Sequence, residues 1–251
     1  MLTAQRKQLL LDRLSRDGRI VARNLSDELG ISEDTIRRDL RELAKSGLLL
    51  RVHGGALPSS SATTTLEKRA LINQDGKTQI GRAAAALIEP GQVVVLDGGT
   101  TIKELVKNLP KQLKATVVTH SPTIASELIN HASIEVILIG GRLFKHSGVA
   151  VGAAAIESIN RIRADVYFMG VTGVHLEMGL TTGDYEESYI KAAFIRAAAE
   201  TVVLASQEKL NAVSPFTVAR LEEISTLVVE RLTEQKTLEA FRKAGVTVVL
   251  A

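Results

Sequence analysis

Seven short apolar runs recur through the last two thirds of this chain: Val93–Leu96, Thr116–Thr119, Ile134–Ile139, Asp165–Gly170, Thr201–Ala205, Thr226–Val229 and Val246–Leu250. They are nearly continuous rather than alternating, so each predicts a strand covered on both faces. Helical patterns lie between most of them, starting with a helix over Gln79–Ile88. Strands of this kind joined through helices make a doubly wound, largely parallel α/β sheet. Ligands in such sheets sit beyond the carboxyl ends of the strands, and the chemistry of the chain is sought in those loops.

The first 57 residues follow a different pattern. Leu10, Leu11 and Leu14 form one stripe of a first helix closed by Gly18; a second helix runs from about Ala22 to Leu29 and ends at Gly30. A third starts at Ser32, whose hydroxyl can cap the free N–H groups of the next turn, and stops at Gly47. At about 100° per residue, Ile36, Leu40 and Leu43 share one face of that helix, while Asp34, Arg38, Arg41 and Lys45 lie opposite, flanked by Thr35 and Arg37. LLLRVHGGAL then predicts a hairpin wing. Residues 1–57 are therefore expected to form a winged helix-turn-helix unit, residues 58–76 a linker opened by PSSSATTT, and residues 77–251 the α/β unit.

Charge supports the division. The chain carries 31 Lys and Arg against 28 Asp and Glu, and the whole surplus lies in residues 1–57, where 11 basic face 8 acidic side chains. A reader of DNA needs donors on the exposed face of its recognition helix, and arginine suits the task because its planar fork pairs bidentately with guanine or phosphate. Ser32, Thr35, Arg37, Arg38 and Arg41 are the helix candidates for contact with an operator duplex, and Arg51 and His53 the wing candidates. The competing reading is a solvated helix face, its arginines balanced by Asp34, Asp39 and Glu42.

Within the α/β unit, VVVLDGGTTIKELVKNL gives strand, glycine loop and helix in succession. That is a phosphate cradle: glycines let backbone N–H groups approach an anion, the helix N-terminus favours negative charge, and threonine hydroxyls add donors. Asp97, Gly98, Gly99, Thr100 and Thr101 are its residues. Further polar positions at strand ends are Thr119 with His120, Gly140-Gly141-Arg142, and Lys209. The absence of cysteine excludes disulfides, thiolate zinc sites and thiol nucleophiles, and fits a reducing cytoplasm. No Walker A sequence, GxGxxG, HExxH or nucleophile elbow is present, so neither metal nor cofactor is expected. The N-terminus lacks the apolar core of a signal peptide and no stretch approaches membrane-spanning length, so a soluble protein is expected.

ISEDTIRRDLRELAKSGLLLRVHGGA resembles the N-terminal signature of the DeoR/GlpR family of regulators, matching at Thr35–Leu40, Arg51 and His53–Ala56. From Lys77 to Leu250 the order of segments resembles that family's effector domain, with matching pieces at Asp97–Thr101, Thr119, Gly140-Gly141, Asp165 with Gly170 and Gly173, Glu187 with Lys191, and Lys209. The resemblance implies a transcription repressor of a carbohydrate-metabolism operon, with a recognition helix in the major groove and a phosphorylated sugar held by the DGGTT loop. It also implies an effector domain similar to sugar-phosphate isomerases, and two-fold half-site reading further implies a dimer or tetramer. Two positions depart from the pattern: His120 stands where many members have Asn, and Ser206 where they have Asp. The alternative is an isomerase-type enzyme carrying a DNA-binding unit, but no local motif places a general base, and a non-enzymatic regulator is the expectation.

Overall fold

The computed structural model describes residues 2–60 and 64–251. Its N-terminal unit consists of α1 (Thr3–Asp17), β1 (Ile20–Val21), α2 (Ala22–Leu29), α3 (Glu33–Lys45), β2 (Leu49–Val52) and β3 (Gly55–Pro58). The stripes read from the sequence are the ones that meet. Leu10 and Leu14 of α1, Leu25 of α2 and Ile36, Leu40 and Leu43 of α3 are buried in one apolar cluster with Leu49 and Ala56 of the wing. Strands β2 and β3 pair antiparallel from Leu49 opposite Pro58 to Val52 opposite Gly55, and β1 adds to β3 through Ile20 opposite Ala56. Gly55 is required here because a Cβ would stand 1.7 Å from the carbonyl oxygen of Ile20.

The segment 58–76 carries structure of its own. Val213 N donates to Pro58 O at 3.0 Å and Ser60 N donates to Val213 O at 3.1 Å, so the chain is fastened to the α/β unit directly after the wing. Helix α4 (Leu66–Ala70) and the start of α5 (Gln74–Ala85) also lie within it. Sequence composition made the stretch look like linker because its small polar residues show no period, but Pro58 and Ser60 are held by contacts made far along the chain, and residues 61–63 lie outside the described residues.

The α/β unit continues with β4 (Val93–Leu96), α6 (Thr100–Lys107), β5 (Ala115–Thr119), α7 (Pro122–Leu128), β6 (Ile134–Leu138), β7 (Arg142–Phe144) and β8 (Val149–Val151). There follow α8 (Ala153–Ile159), β9 (Ala164–Gly170), β10 (Gly173–His175), β11 (Gly179–Thr182), α9 (Tyr185–Ala197), β12 (Ala198–Leu204), β13 (Phe216–Ala219), β14 (Thr226–Val229), α10 (Gln235–Lys243) and β15 (Thr247–Leu250). Seven strands form one parallel sheet in the order β15-β14-β12-β9-β4-β5-β6.

Both faces of this sheet are covered, which is why its strands read as unbroken apolar runs. Val94 and Leu96 pack on Ile80 of α5 and Ile102 and Leu105 of α6, whereas Val95 faces the cluster holding Ile190 and Phe194 of α9 and Phe241 of α10. Two additions were not visible as apolar runs: the β7–β8 hairpin and a small antiparallel sheet in the order β10-β11-β13. In sequence the sheet grows outward from β4 to β5 and β6, then restarts on the other side with β9. The topological switch point therefore lies between β4 and β9, where the loops that leave their carboxyl ends diverge and open a crevice.

Candidate functional site

The crevice at the switch point is a pocket. The loop after β4 provides Gly98, Gly99, Thr100 and Thr101; the loop after β9 provides Gly170, Val171 and Thr172. Gly99 caps α6 at φ +116°, a conformation that favours glycine, and the first intrahelical bond is Lys103 N to Gly99 O at 3.0 Å, so the preceding N–H groups of the helix are free to meet an anion. Thr101 is 3% exposed, and its Oγ1 is buried without a hydrogen-bond partner. An unpaired buried hydroxyl is costly, and on the wall of a pocket it is a place where a ligand oxygen fits.

Beneath the loop, Asp97 is buried and organises the crevice from below. Its Oδ1 accepts from Gly98 N at 2.8 Å and from His120 Nε2 at 2.9 Å; its Oδ2 accepts from Gly170 N at 2.9 Å and pairs with Lys191 Nζ. One carboxylate thus ties the two loops of the switch point together. Burial by itself would raise this carboxyl, but the Lys191 ammonium and the His120 ring outweigh it and hold Asp97 far below the ordinary carboxylate range.

Four cationic side chains line the pocket: Arg69, Lys77, Lys191 and Lys209. Lys77 Nζ donates to the carbonyls of Arg69 and Ile72, and Lys191 Nζ donates to Gly170 O at 2.9 Å as well as to Asp97. Arg69 Nη2 donates to Ser147 Oγ at 3.2 Å, while its Nε is buried with no partner. Lys209 is buried, and its ammonium makes no hydrogen bond or ion pair among the described residues. Burial pushes its ammonium down to about 8; Glu208 opposes the shift, and Lys77, Arg69 and Lys191 add to it. A cluster of cations whose protons are weakened by one another is a site that an anion would stabilise.

Acceptors stand at the pocket's other side. Glu187 is buried, with Oε2 accepting from Ser147 Oγ at 3.2 Å. Glu208 Oε1 accepts from Ser206 Oγ at 2.6 Å, and Oε2 accepts from Asn73 Nδ2 at 3.1 Å. Ser206 therefore does not leave the site without an acidic group: it is fully buried and braces Glu208, which lines the pocket.

Of the effector candidates read from sequence, Gly98, Gly99, Thr100, Thr101 and Lys209 meet in the pocket, with Asp97 directly beneath. Five others are elsewhere, and so is His120. His120 is sealed in the core against Phe194, not presented to a ligand, because both ring nitrogens are turned inward. Thr119 is buried with its hydroxyl accepting from Ser121 N at 3.1 Å. Gly140, Gly141 and exposed Arg142 lead into the outlying β7–β8 hairpin, where Arg142 pairs with Glu186. Asp165 is at the amino end of β9, accepting from Val93 N at 2.7 Å, and in a parallel sheet that is the end opposite the pocket. Sequence reasoning missed Arg69, which lay in the supposed linker, and did not select Lys77 or Glu208. A lysine at 77 in a small-residue helix with buried Gly76, Ile80 and Gly81 around it was the available signal.

On the N-terminal unit, Ser32 caps α3, its Oγ accepting from Thr35 N at 3.3 Å. The charge balance of the solvated face is only partly kept: exposed Asp34 remains on it, while α1 takes the other two acids. Asp39 is buried and pairs with Arg6, and Glu42 pairs with Lys7 at 2.6 Å, so α1 neutralises both acids. Arg37 reaches back to Glu33 at 2.7 Å, whereas Arg38 and Arg41 are exposed and make no hydrogen bond or ion pair among the described residues. Arg51 and His53 are exposed on the wing. The helix face opposite the core thus presents the Arg38 and Arg41 guanidinium groups, with exposed Asp34 and Lys45 among them, beside the wing. Among the described residues no helix is long and apolar enough to cross a membrane, and no group of side chains has the make-up of a metal site.

Comparison with known proteins identifies the family. A DeoR-like helix-turn-helix domain matches residues 6–62, and a DeoR C terminal sensor domain matches residues 72–231. The HTH-type transcriptional regulator GlpR of Haloferax volcanii is 39% identical over 252 residues, spanning 99% of this chain and 98% of that protein. The glycerol-3-phosphate regulon repressor of Escherichia coli is 31% identical over 212 residues, 84% of each chain. Among solved structures, ribose 5-phosphate isomerase A of Methanocaldococcus jannaschii covers 55% of both chains at 19% identity, with a TM-score of 0.42. With both of its units matched and relatives aligned along nearly its whole length, the chain belongs to the DeoR family and is a DNA-binding transcriptional regulator.

Proposed function

We propose that this regulator is a repressor of a carbohydrate-metabolism operon, and that a small phosphorylated sugar bound in the switch-point pocket sets its affinity for the operator. One observation carries the ligand class: three donors without partners, Thr101 Oγ1, Arg69 Nε and the Lys209 ammonium, line one pocket at the N-terminus of α6. A phosphate group supplies the acceptor oxygens that all three lack. The relative named for the glycerol-3-phosphate regulon is in keeping with a phosphorylated effector. Thr35, Arg37, Arg38 and Arg41 on α3 are the operator contacts in this reading, with Arg51 and His53 tracking the duplex from the wing and Ser32 holding the helix start. A dimer or tetramer places two such readers on repeated half-sites.

The isomerase alternative has to abstract a proton from carbon. Asp97 accepts four hydrogen bonds and is held strongly ionised, which makes it a poor base and a good brace. The proposal is tested by following thermal stability against pairs of sugars with and without phosphate. A ligand at about 100 times its Kd adds about 2.7 kcal/mol, so a shift seen with one phosphorylated sugar and absent with its dephosphorylated partner is expected. Equal shifts from both members of each pair would remove the phosphate from the account.

A further inference from the structure

The pocket does not end within the sensor. Arg69, Ser147, Thr172 and Glu187 also form one wall of a second cavity, whose opposite wall is the winged unit: Ala44 and Gly47 at the end of α3, and Leu49 and Leu50 on β2. The two spaces therefore share four residues, and the end of the recognition helix lines the outer one. Helix α4, which carries Arg69, is itself pinned to the hairpin on this wall, with Leu66 N donating to His146 O at 3.2 Å.

The chemistry changes along this path. Its inner end holds the N-terminus of α6, the Thr101 hydroxyl and the cations Lys77, Lys191 and Lys209, with the Glu208 carboxylate beside them. Towards the seam come the carboxylates of Glu187 and Asp184 and the hydroxyls of Ser147 and Thr172. Carboxylates repel a phosphate but accept from hydroxyl groups, so no single small anion satisfies both ends. A molecule that does so is a phosphate on a hydroxyl-bearing carbon chain.

Resting on the reading of the inner pocket as a phosphate site, we propose that the seam between the winged unit and the sensor is the second half of the ligand site. It takes the polyhydroxyl body of a phosphorylated sugar, so that the ligand touches Leu50 and the end of α3 directly. Such a ligand binds best to one placement of the reader against the sensor, and that difference in affinity is what couples it to the operator. The winged unit is then part of the specificity pocket as well as the output.

Two full-length variants test this, each filling the seam from a different element of the reader: Leu50→Trp on β2, where the leucine is half-buried, and Ala44→Met on α3. The probes are inorganic phosphate, glycerol 3-phosphate, ribose 5-phosphate and fructose 6-phosphate, titrated calorimetrically, with operator affinity in the absence of ligand confirming a folded reader. Phosphate should bind both variants within about twofold of the wild type. The sugar phosphate that binds wild type more tightly than phosphate should lose at least about tenfold in both. Sugar-phosphate affinity unchanged in the two variants, or no sugar phosphate exceeding phosphate in the wild type, overturns the seam while leaving the inner pocket standing. Binding of none of the four probes overturns the phosphate pocket itself and the seam with it.

Discussion

His120 Nε2 and Asp97 Oδ1 meet at 2.9 Å in a place where neither side chain is more than 1% exposed. The other ring nitrogen, Nδ1, lies 3.0 Å from the carbonyl oxygen of Ala150. The ring is thus held between the Asp97 carboxylate and the Ala150 carbonyl. His120 is thereby a brace for the carboxylate that ties the β4 and β9 loops together, and its effect on a ligand passes through Asp97.

Removing one member of such a buried charged network leaves the rest uncompensated. His120→Leu is expected to destabilise the sensor by about 3–5 kcal/mol, and His120→Asn, which keeps an N–H donor, by less. Urea denaturation of the two variants measures the difference. Equal, small losses would mean that the ring contributes only its packing against Phe194.

Lys209 sets a pH dependence. Burial brings its ammonium down to about 8 from 10.5, so between those values the unfolded chain holds a proton that the folded chain has released, and this group's contribution to stability rises with pH across that window. A bound phosphate acts in the opposite sense by favouring the charged form. Affinity for a phosphorylated ligand should be flat between about pH 7, where the phosphate is dianionic, and about pH 8, and fall by up to about tenfold per unit above it, with proton uptake on binding. Titration calorimetry in buffers of different ionisation enthalpy reads both. In Lys209→Gln the alkaline fall should vanish.

Gly99 tests the cradle separately from the fold of the sensor. At φ +116° any side chain is strained, although a Cβ would meet nothing within 4 Å. Gly99→Ala therefore reports strain alone, and Gly99→Asp adds a carboxylate where the anion is to sit. The aspartate variant is expected to lose the metabolite response at least about tenfold beyond the alanine variant, with operator affinity unchanged in both. Gel-shift titrations with and without sugar phosphate separate the two effects.

On the reader, Arg38 and Arg37 are neighbours in sequence with different freedom. Arg38→Ala should weaken specific operator binding by about 1–3 kcal/mol, provided that its free guanidinium reaches a base. Arg37 is already bonded to Glu33 and has to give up that pair to contact DNA, so Arg37→Ala should cost less. Fluorescence anisotropy on operator and scrambled duplexes measures both, and unchanged affinity for Arg38→Ala would take it out of the interface.

Much of this molecule is legible in its sequence because the signals involved are local. Ile36, Leu40 and Leu43 share a face at helical spacing, and that is the face that packs. The seven apolar runs are the seven strands, and the DGGTT loop leaves β4 at the switch point. What was hidden depends on distance in sequence. Asp39, three residues after Ile36, falls by spacing on the core side of α3, but its partner there, Arg6, comes from 33 residues earlier, and spacing does not reveal that pair. Arg69 comes to the pocket because α4 docks on the β7–β8 hairpin some 77 residues later, a contact that no periodicity announces. Asp165 illustrates a third reason: an apolar run predicts a strand but not which end carries the ligand, and a residue at its start lies at the far edge of a parallel sheet.

The most direct test of the account is operator affinity measured against a panel of phosphorylated sugars in the wild type and in Lys209→Gln. The account predicts that one sugar phosphate changes the operator Kd of the wild type, that operator binding changes the affinity for that sugar by the same factor, and that Lys209→Gln binds operator normally while losing the response. A response retained in full by Lys209→Gln, or produced equally by the dephosphorylated sugar, would contradict it.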